Sequence, residues 1–160
     1  MFEKFGEFDS VEELNRAAEG FLKENDIESL YAMAKENGIE KEDVEDYEDG
    51  CIDQLATPLN AALGRIKVMR EGATGNDAFA MNTILDFIET EALTDARLQQ
   101  AVMKKGKRAR DIYGKLREGA RKSGCACGTD RQLVEIIREY YLGSQSEFER
   151  KAKAAGGSND

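Results

Sequence analysis

Two cysteines separated by one residue are the groups in this chain best suited to metal or redox chemistry. Cys125 and Cys127 lie within "GCACG", and the third cysteine is Cys51. A structural zinc ion takes about four ligands, usually in two separated pairs, and the chain has no histidine to complete such a set. A disulfide between Cys125 and Cys127 would close a small, strained ring. We therefore interpret this stretch as a bend between helices, and we expect neither a metal nor a cofactor.

The sequence offers little support for an enzyme. The absence of histidine removes the commonest general base at neutral pH. Phosphate-binding loops, nucleophile elbows and metal-binding carboxylate patterns are missing from the sequence. The chain has 32 acidic residues, but their spacing singles out no pair for acid–base catalysis. These features predict a non-enzymatic protein.

The first candidate binding site is acidic. Residues 1–53 carry 5 Lys and Arg against 18 Asp and Glu. Residues 32–50 have a helix–turn–helix outline, but the carboxylates expected on the second helix would repel DNA phosphates. Two interpretations remain: a surface that imitates nucleic acid and binds a basic groove on a partner protein, or a solvated face that aids solubility. The carboxylates are those of Glu42, Asp43, Glu45, Asp46, Glu48 and Asp49.

The second candidate binding site is basic. Residues 104–122 carry 9 Lys and Arg against 2 Asp and Glu. Such a surface suits the backbone of a nucleic acid, and it equally suits the acidic head of the same chain or of another copy. Tyr113 is the interleaved aromatic residue, and it belongs to the apolar stripe of its helix, so it is weak evidence for base stacking. The basic row consists of Lys104, Lys107, Arg110, Arg117 and Arg121.

The elements that position these residues are predicted to be helices. Ala, Glu, Lys, Leu and Arg dominate the composition, and one proline interrupts the chain. Ser10 with Glu13, and Thr129 with Gln132, fit capping boxes at helix starts. Asn76 or Asp77 is expected to cap another helix. Apolar residues recur at helical spacing and no segment alternates with a period of two, so we predict an all-α protein of about seven helices.

The chain divides at "EGATGND" (71–77), where two glycines and no bulky residue suggest a linker. We predict an acidic helical half at 1–71, which begins with a three-helix unit, a second helical half at 76–143, and a flexible tail at 144–160. The longest apolar runs fall short of the ~18 residues that a membrane span needs. A secretory signal pattern is absent from the first residues. With three cysteines, these features predict a cytoplasmic protein that does not enter a membrane.

The second half resembles a known family. Its matching features are "ILDFIETEALTDARLQ", "KKGKRARDIYGKLREGARKSG" and "CACGTDRQLVEIIREYYLG", spread over about 84–142. This pattern of helices and spacings resembles the PcfK-like proteins of conjugative elements in Firmicutes. The family typically carries a histidine just before the tyrosine pair, whereas Glu139 stands here. Its compact form also lacks an acidic head like residues 1–53.

The resemblance implies a mobile-element accessory protein that works by binding. Some PcfK-like proteins are anti-CRISPR proteins, which inhibit the type II RNA-guided DNA nuclease. By resemblance, such a nuclease is the expected protein partner in the bacterial host, and the acidic head is the natural contact with its positively charged channel. Two alternatives remain open: a nucleic-acid-binding accessory of conjugation that uses the basic row, and an oligomerisation module.

Overall fold

The structure is a computed structural model that describes residues 1–123 and 129–143. Within these ranges every regular element is helical and none is a strand, so the predicted all-α class is confirmed. The described residues form eight α-helices, where the sequence analysis expected about seven, and one 3₁₀ turn at Gly75–Asp77. The helices are α1 (Val11–Lys23), α2 (Ile27–Glu36), α3 (Lys41–Glu48), α4 (Pro58–Gly72), α5 (Ala78–Ala92), α6 (Ala96–Val102), α7 (Ala109–Ser123) and α8 (Asp130–Leu142).

Side-chain caps begin α1 and α8 at the predicted residues. The Ser10 hydroxyl accepts a hydrogen bond from the Glu13 N–H at 3.1 Å. The Glu13 carboxylate reaches back one residue further than a capping box requires, since it accepts from the Asp9 N–H at 2.8 Å. At α8, Thr129 and Gln132 form the predicted reciprocal capping box. These bonds satisfy backbone donors that a helix start otherwise leaves open.

The first core lies between α1, α2 and α3 and is closed by the loop that leads to α4. Its members are spaced three or four residues apart on each helix, which turns one stripe of every helix inward. The buried members are Val11, Leu14, Ala18, Leu30, Met33, Ala34, Ile39, Val44, Tyr47, Leu55, Ala56, Ala61 and Met103.

The second core is the larger of the two and is formed by α4 to α8. The partly buried side chains of Leu116 on α7 and Leu133 on α8 complete its edge. The buried members are Ala62, Ile66, Met69, Met81, Ile84, Leu85, Ile88, Ala92, Leu98, Ala101, Val102, Ala109, Ile112, Ile137, Tyr141 and Leu142.

Helix α4 belongs to both cores. Ala61 contributes to the first core, whereas Ala62, Ile66 and Met69 contribute to the second. Met103 directly follows α6, a helix of the second core, but its side chain is buried in the first core. The sequence predicts that α4 belongs to the acidic half and that residues 71–77 are a linker. In the structure Glu71 and Gly72 are the last residues of α4, residues 73–77 connect it to α5, and the two helices pack against each other.

The turn between α2 and α3 touches the backbone of α4. Gly38 has a φ of +71°, in the left-handed region that glycine adopts without strain. A Cβ built on Gly64 of α4 would lie 2.4 Å from the carbonyl oxygen of Asn37. Glycine at position 64 therefore allows the backbone of α4 to contact this turn directly. Because α3 begins directly after the turn, this contact helps to set the position of α3 relative to α4.

None of the helices in the described ranges has both the length and the apolar character that crossing a membrane requires.

Candidate functional site: an acidic helix face and a basic helix face

Helix α3 turns its carboxylates toward solvent. Val44 and Tyr47, three residues apart, are buried in the first core and orient the helix. The carboxylates occupy the other sides of this short helix and the residue that follows it. Five of the six predicted residues are exposed and Asp43 is half-buried. The acidic face thus comprises Glu42, Asp43, Glu45, Asp46, Glu48 and Asp49.

The acidic face is only weakly neutralised from within the chain. Among the described residues, one ion pair involves the acidic face: the Lys41 Nζ lies 3.8 Å from a carboxylate oxygen of Glu45. The Tyr31 hydroxyl donates to the Glu48 carboxylate at 3.1 Å. Partial burial raises the pKa of Tyr31, and the charges of Glu48, Glu45 and Asp49 raise it further. The acidic face therefore produces a negative electrostatic potential at Tyr31.

The predicted basic row is divided in the structure. Arg110, Arg117 and Arg121 recur at helical spacing on the surface of α7 and are exposed. Lys104 is also exposed, but it lies in the loop that precedes α7. The basic face of the folded chain is therefore the surface that the three arginines share on α7.

Lys107 does not join that surface, because α8 holds it. Its Nζ donates to the backbone carbonyl of Tyr140 at 3.1 Å and lies 4.4 Å from the centre of the Tyr140 ring. The Tyr140 hydroxyl accepts from the Arg108 N–H at 2.8 Å and donates to the Asp111 carboxylate. Burial and the Asp111 hydrogen bond raise the pKa of Tyr140 to about 12. Tyr140 thus holds the loop before α7 against α8.

A buried ion-pair cluster joins the acidic head to the start of the basic band. The Glu7 carboxylate accepts from the guanidinium of Arg65 at 2.7 Å and from both terminal nitrogens of Arg108 at 2.7 and 2.9 Å. The Arg65 side chain is 1% exposed, and its second terminal nitrogen donates to the Phe8 carbonyl at 2.9 Å. The Phe2 ring lies 4.9 Å from the Arg65 guanidinium and 5.7 Å from that of Arg108. We call these residues the Glu7 cluster.

The charges in the Glu7 cluster shift one another's protonation. Burial alone raises the pKa of Glu7, but the hydrogen bond from Arg108 and the charge of Arg65 outweigh it and leave that pKa below its ordinary value. Burial lowers the pKa of Arg65, and the Glu7 charge opposes this shift. Glu7 is therefore ionised at neutral pH and compensates the buried guanidinium of Arg65.

The Glu7 cluster is not predicted by the sequence, although the charge pattern leaves open that the basic band docks the acidic head of the same chain. In the structure, Glu7 and Arg108 meet across 101 residues, and the Lys105 N–H donates to the Asp9 carboxylate at 2.9 Å. One signal was available for Arg65: it interrupts the apolar positions of α4. A charge at such a position points to a buried ion pair.

An open groove runs between α2, α3, α4 and the first residues of the chain. Its volume is about 860 Å³. Lys35, Lys41 and Lys67 line it together with Glu36 and Glu40. Lys67 is engaged by Glu40 at 3.0 Å, and the Glu36 carboxylate accepts the Lys4 and Phe5 N–H groups. The groove borders the acidic face and presents charges of both signs.

The cysteines contribute no described site. Cys51 is exposed and forms no disulfide, and Cys125 and Cys127 lie outside the described residues. Residues 1–123 and 129–143 contain no group of three or more Cys, Asp or Glu side chains arranged to hold a metal ion. The interpretation of "GCACG" as a helix bend stays a prediction.

Comparison with known proteins adds no relative: no protein-family model matches the chain, and no curated protein or solved structure does. The resemblance to the PcfK-like proteins stays a prediction.

Proposed function

We propose that this chain is a non-enzymatic protein of a mobile element that acts by binding a partner protein through the acidic face of α3. The proposed partner is the type II RNA-guided DNA nuclease of the bacterial host, in whose cytoplasm the chain would act as an anti-CRISPR inhibitor. The partner's identity comes from the sequence resemblance. The exposure of the α3 carboxylates supports the choice of the acidic face as the binding surface.

The observation that carries the proposal is that the two charged parts of the chain do not cancel each other. The basic band meets the acidic head through Glu7 and Asp9, which lie before α1. That pairing leaves the carboxylates of α3 exposed, with Lys41 as the cation that reaches them among the described residues. An exposed negative surface on a helix that packs against the first core through Val44 and Tyr47 suits binding to a positively charged groove.

The physical basis is competition for a positively charged channel. RNA-guided nucleases hold nucleic acid in such channels. Carboxylates set along one helix offer regularly spaced negative charge, and complementary charge speeds encounter and fixes the docking orientation. Occupation of the channel would exclude target DNA, and the mechanism requires no catalytic residue. Binding of this kind weakens as salt screens the charges.

The test measures cleavage of target DNA by a purified type II nuclease with its guide RNA. In one variant, Asp43, Glu45, Asp46 and Glu48 are all replaced by lysine. We expect inhibition to weaken by at least about tenfold, because reversed charges repel the groove. A control variant replaces four exposed carboxylates of the other half by lysine and should inhibit like the unmodified chain: Asp86, Glu118, Asp130 and Glu135.

Two results would contradict the proposal, and they separate its parts. If the α3 variant retains its helicity by circular dichroism and inhibits fully, the acidic face is not the contact. If the unmodified chain neither binds nor inhibits type II nucleases, the proposed partner is wrong. Equal weakening by both variants would show a general effect of net charge rather than a site.

A further inference from the structure

The exposed arginines of α7 form a row with a glycine at its centre. Arg110, Gly114, Arg117 and Arg121 follow one another at steps of four, three and four residues, so they lie along one side of the helix. Among the described residues, Arg110 and Arg121 have no ion-pair partner. The Arg117 guanidinium lies 5.6 Å from the centre of the Tyr113 ring. We call these four residues the arginine row.

Gly114 has no role in packing that explains it. A Cβ at this position would meet no atom within 4 Å. Glycine inside a helix is less favourable than alanine, because the unfolded chain loses more freedom on folding. Nothing in the surrounding structure offsets this cost at Gly114. The missing side chain at Gly114 leaves the backbone of α7 open to close approach by a ligand between the arginines.

An exposed aromatic ring lies two residues after Asp77, which contacts Tyr113 of α7. The Tyr113 hydroxyl donates to the Asp77 carboxylate at 3.2 Å, which holds the start of α5 beside α7. Asp77 stands at the N-cap position of α5, as predicted, but its side chain makes this bond instead of a capping bond. Phe79 follows two residues later and is 86% exposed. A ring this exposed gains nothing from the core, and it is available for stacking.

We infer that the arginine row together with Phe79 is a binding surface for single-stranded nucleic acid. Guanidinium groups bind phosphate oxygens in pairs, and aromatic rings stack on bases regardless of sequence. The net charge of −9 does not forbid this, because residues 104–122 carry 9 Lys and Arg against 2 Asp and Glu, and charges beyond a Debye length, about 10 Å at 0.1 M salt, are largely screened. The acidic face of a second copy could also pair with the arginines, but carboxylates do not stack on an aromatic ring, so Phe79 favours a nucleic acid. This inference is independent of the proposed function.

The test titrates the full chain into a fluorescently labelled oligo(dT) of about 20 nucleotides and follows anisotropy. We expect a dissociation constant below about 100 µM at about 50 mM salt, with weaker binding to a duplex of the same length. Replacing Arg110, Arg117 and Arg121 by alanine should weaken binding by at least about tenfold and flatten its salt dependence. Phe79→Ala should weaken binding by at least about fivefold without changing the salt dependence.

The matched controls lie on the same helix. Lys115 and Lys122 are exposed on another side of α7, and their joint replacement by alanine should change binding less than about twofold. Gly114→Ala should raise the urea midpoint, because alanine favours the helix, and should weaken binding by obstructing approach. Gly119→Ala, which also meets open space, should raise the midpoint and leave binding unchanged.

Each contrary result overturns the inference. No anisotropy change up to about 100 µM chain would exclude binding in the expected range. Equal affinity for the duplex, or an unchanged affinity in Phe79→Ala, would remove the stacking role and hence the single-strand preference. If the arginine variant instead changes the molar mass measured by light scattering, the arginine row contacts a second copy of the chain.

Discussion

At the scale of single residues, Glu7 makes the most consequential contacts. It compensates Arg65, whose side chain is 1% exposed, and it also binds Arg108. A buried guanidinium that loses its hydrogen-bonded counter-charge is costly, because burial disfavours the charged form of Arg65. The free energy of unfolding should therefore depend on Glu7 far more than on an ordinary surface carboxylate.

Glu7→Gln should lower the free energy of unfolding by about 3 kcal/mol, since it leaves Arg65 buried without its counter-charge. Urea unfolding followed by circular dichroism measures this. The control is Glu40→Gln, which breaks the exposed ion pair with Lys67 and should cost less than about 1 kcal/mol. Equal losses in the two variants would mean that the Glu7 cluster is no stronger than a surface pair.

The contribution of Glu7 should disappear in acid. Its pKa in the folded chain lies below the ordinary value of 4.5, so the folded state holds the proton less tightly than the unfolded state. The stabilisation is therefore complete above that value and is lost as the pH falls through the lower folded pKa. We expect the stability difference between the unmodified chain and Glu7→Gln to be constant near neutral pH and to shrink below about pH 4.5. A difference that is independent of pH down to about pH 2 would contradict this assignment.

At the scale of elements, close approach of backbones decides the arrangement as much as apolar stripes do. Each helix shows the expected stripe, but the stripes do not determine which helices cross. The crossing of α4 with the turn before α3 depends on Gly38 and Gly64, where side chains would collide with backbone. Because α3 follows this turn, the contact also positions the acidic face that is proposed to bind the partner.

Gly64→Ala should destabilise the fold by about 2 kcal/mol, because its Cβ would lie 2.4 Å from the Asn37 carbonyl oxygen and one backbone must move. Gly20→Ala in α1 is the matched control, since its Cβ meets no atom within 4 Å. The control should stabilise by up to about 1 kcal/mol through helix propensity. Denaturant midpoints compare the two. Stabilisation by both changes would show that the crossing tolerates a methyl group.

At the scale of the whole molecule, the two cores are connected at three places. Helix α4 has residues in both cores, Met103 crosses from the end of α6 into the first core, and the Glu7 cluster joins the first residues to the start of α7. Shared side chains make it costly to unfold one core while the other stays intact. The chain should therefore unfold as one cooperative unit.

Tryptophan probes test this cooperativity, because the chain contains no tryptophan of its own. Tyr31→Trp reports on the first core and Tyr113→Trp on the second, since these rings pack against the two cores respectively. In each variant, we expect the urea midpoint measured by tryptophan fluorescence to equal the midpoint measured by circular dichroism. Two separate midpoints would show that the acidic half and the second half unfold independently.

The sequence alone determined the local features of this protein. Helical class, the capping residues at Ser10 and Thr129, and the exposure of the α3 carboxylates follow from propensities and periodicity over a few residues. The tertiary structure decided which charges remain available. It brought Glu7 to Arg108 across 101 residues, withdrew Lys107 from the basic row, and left three arginines exposed on α7. These outcomes depend on contacts between distant segments, and the short-range pattern of a single sequence does not encode them.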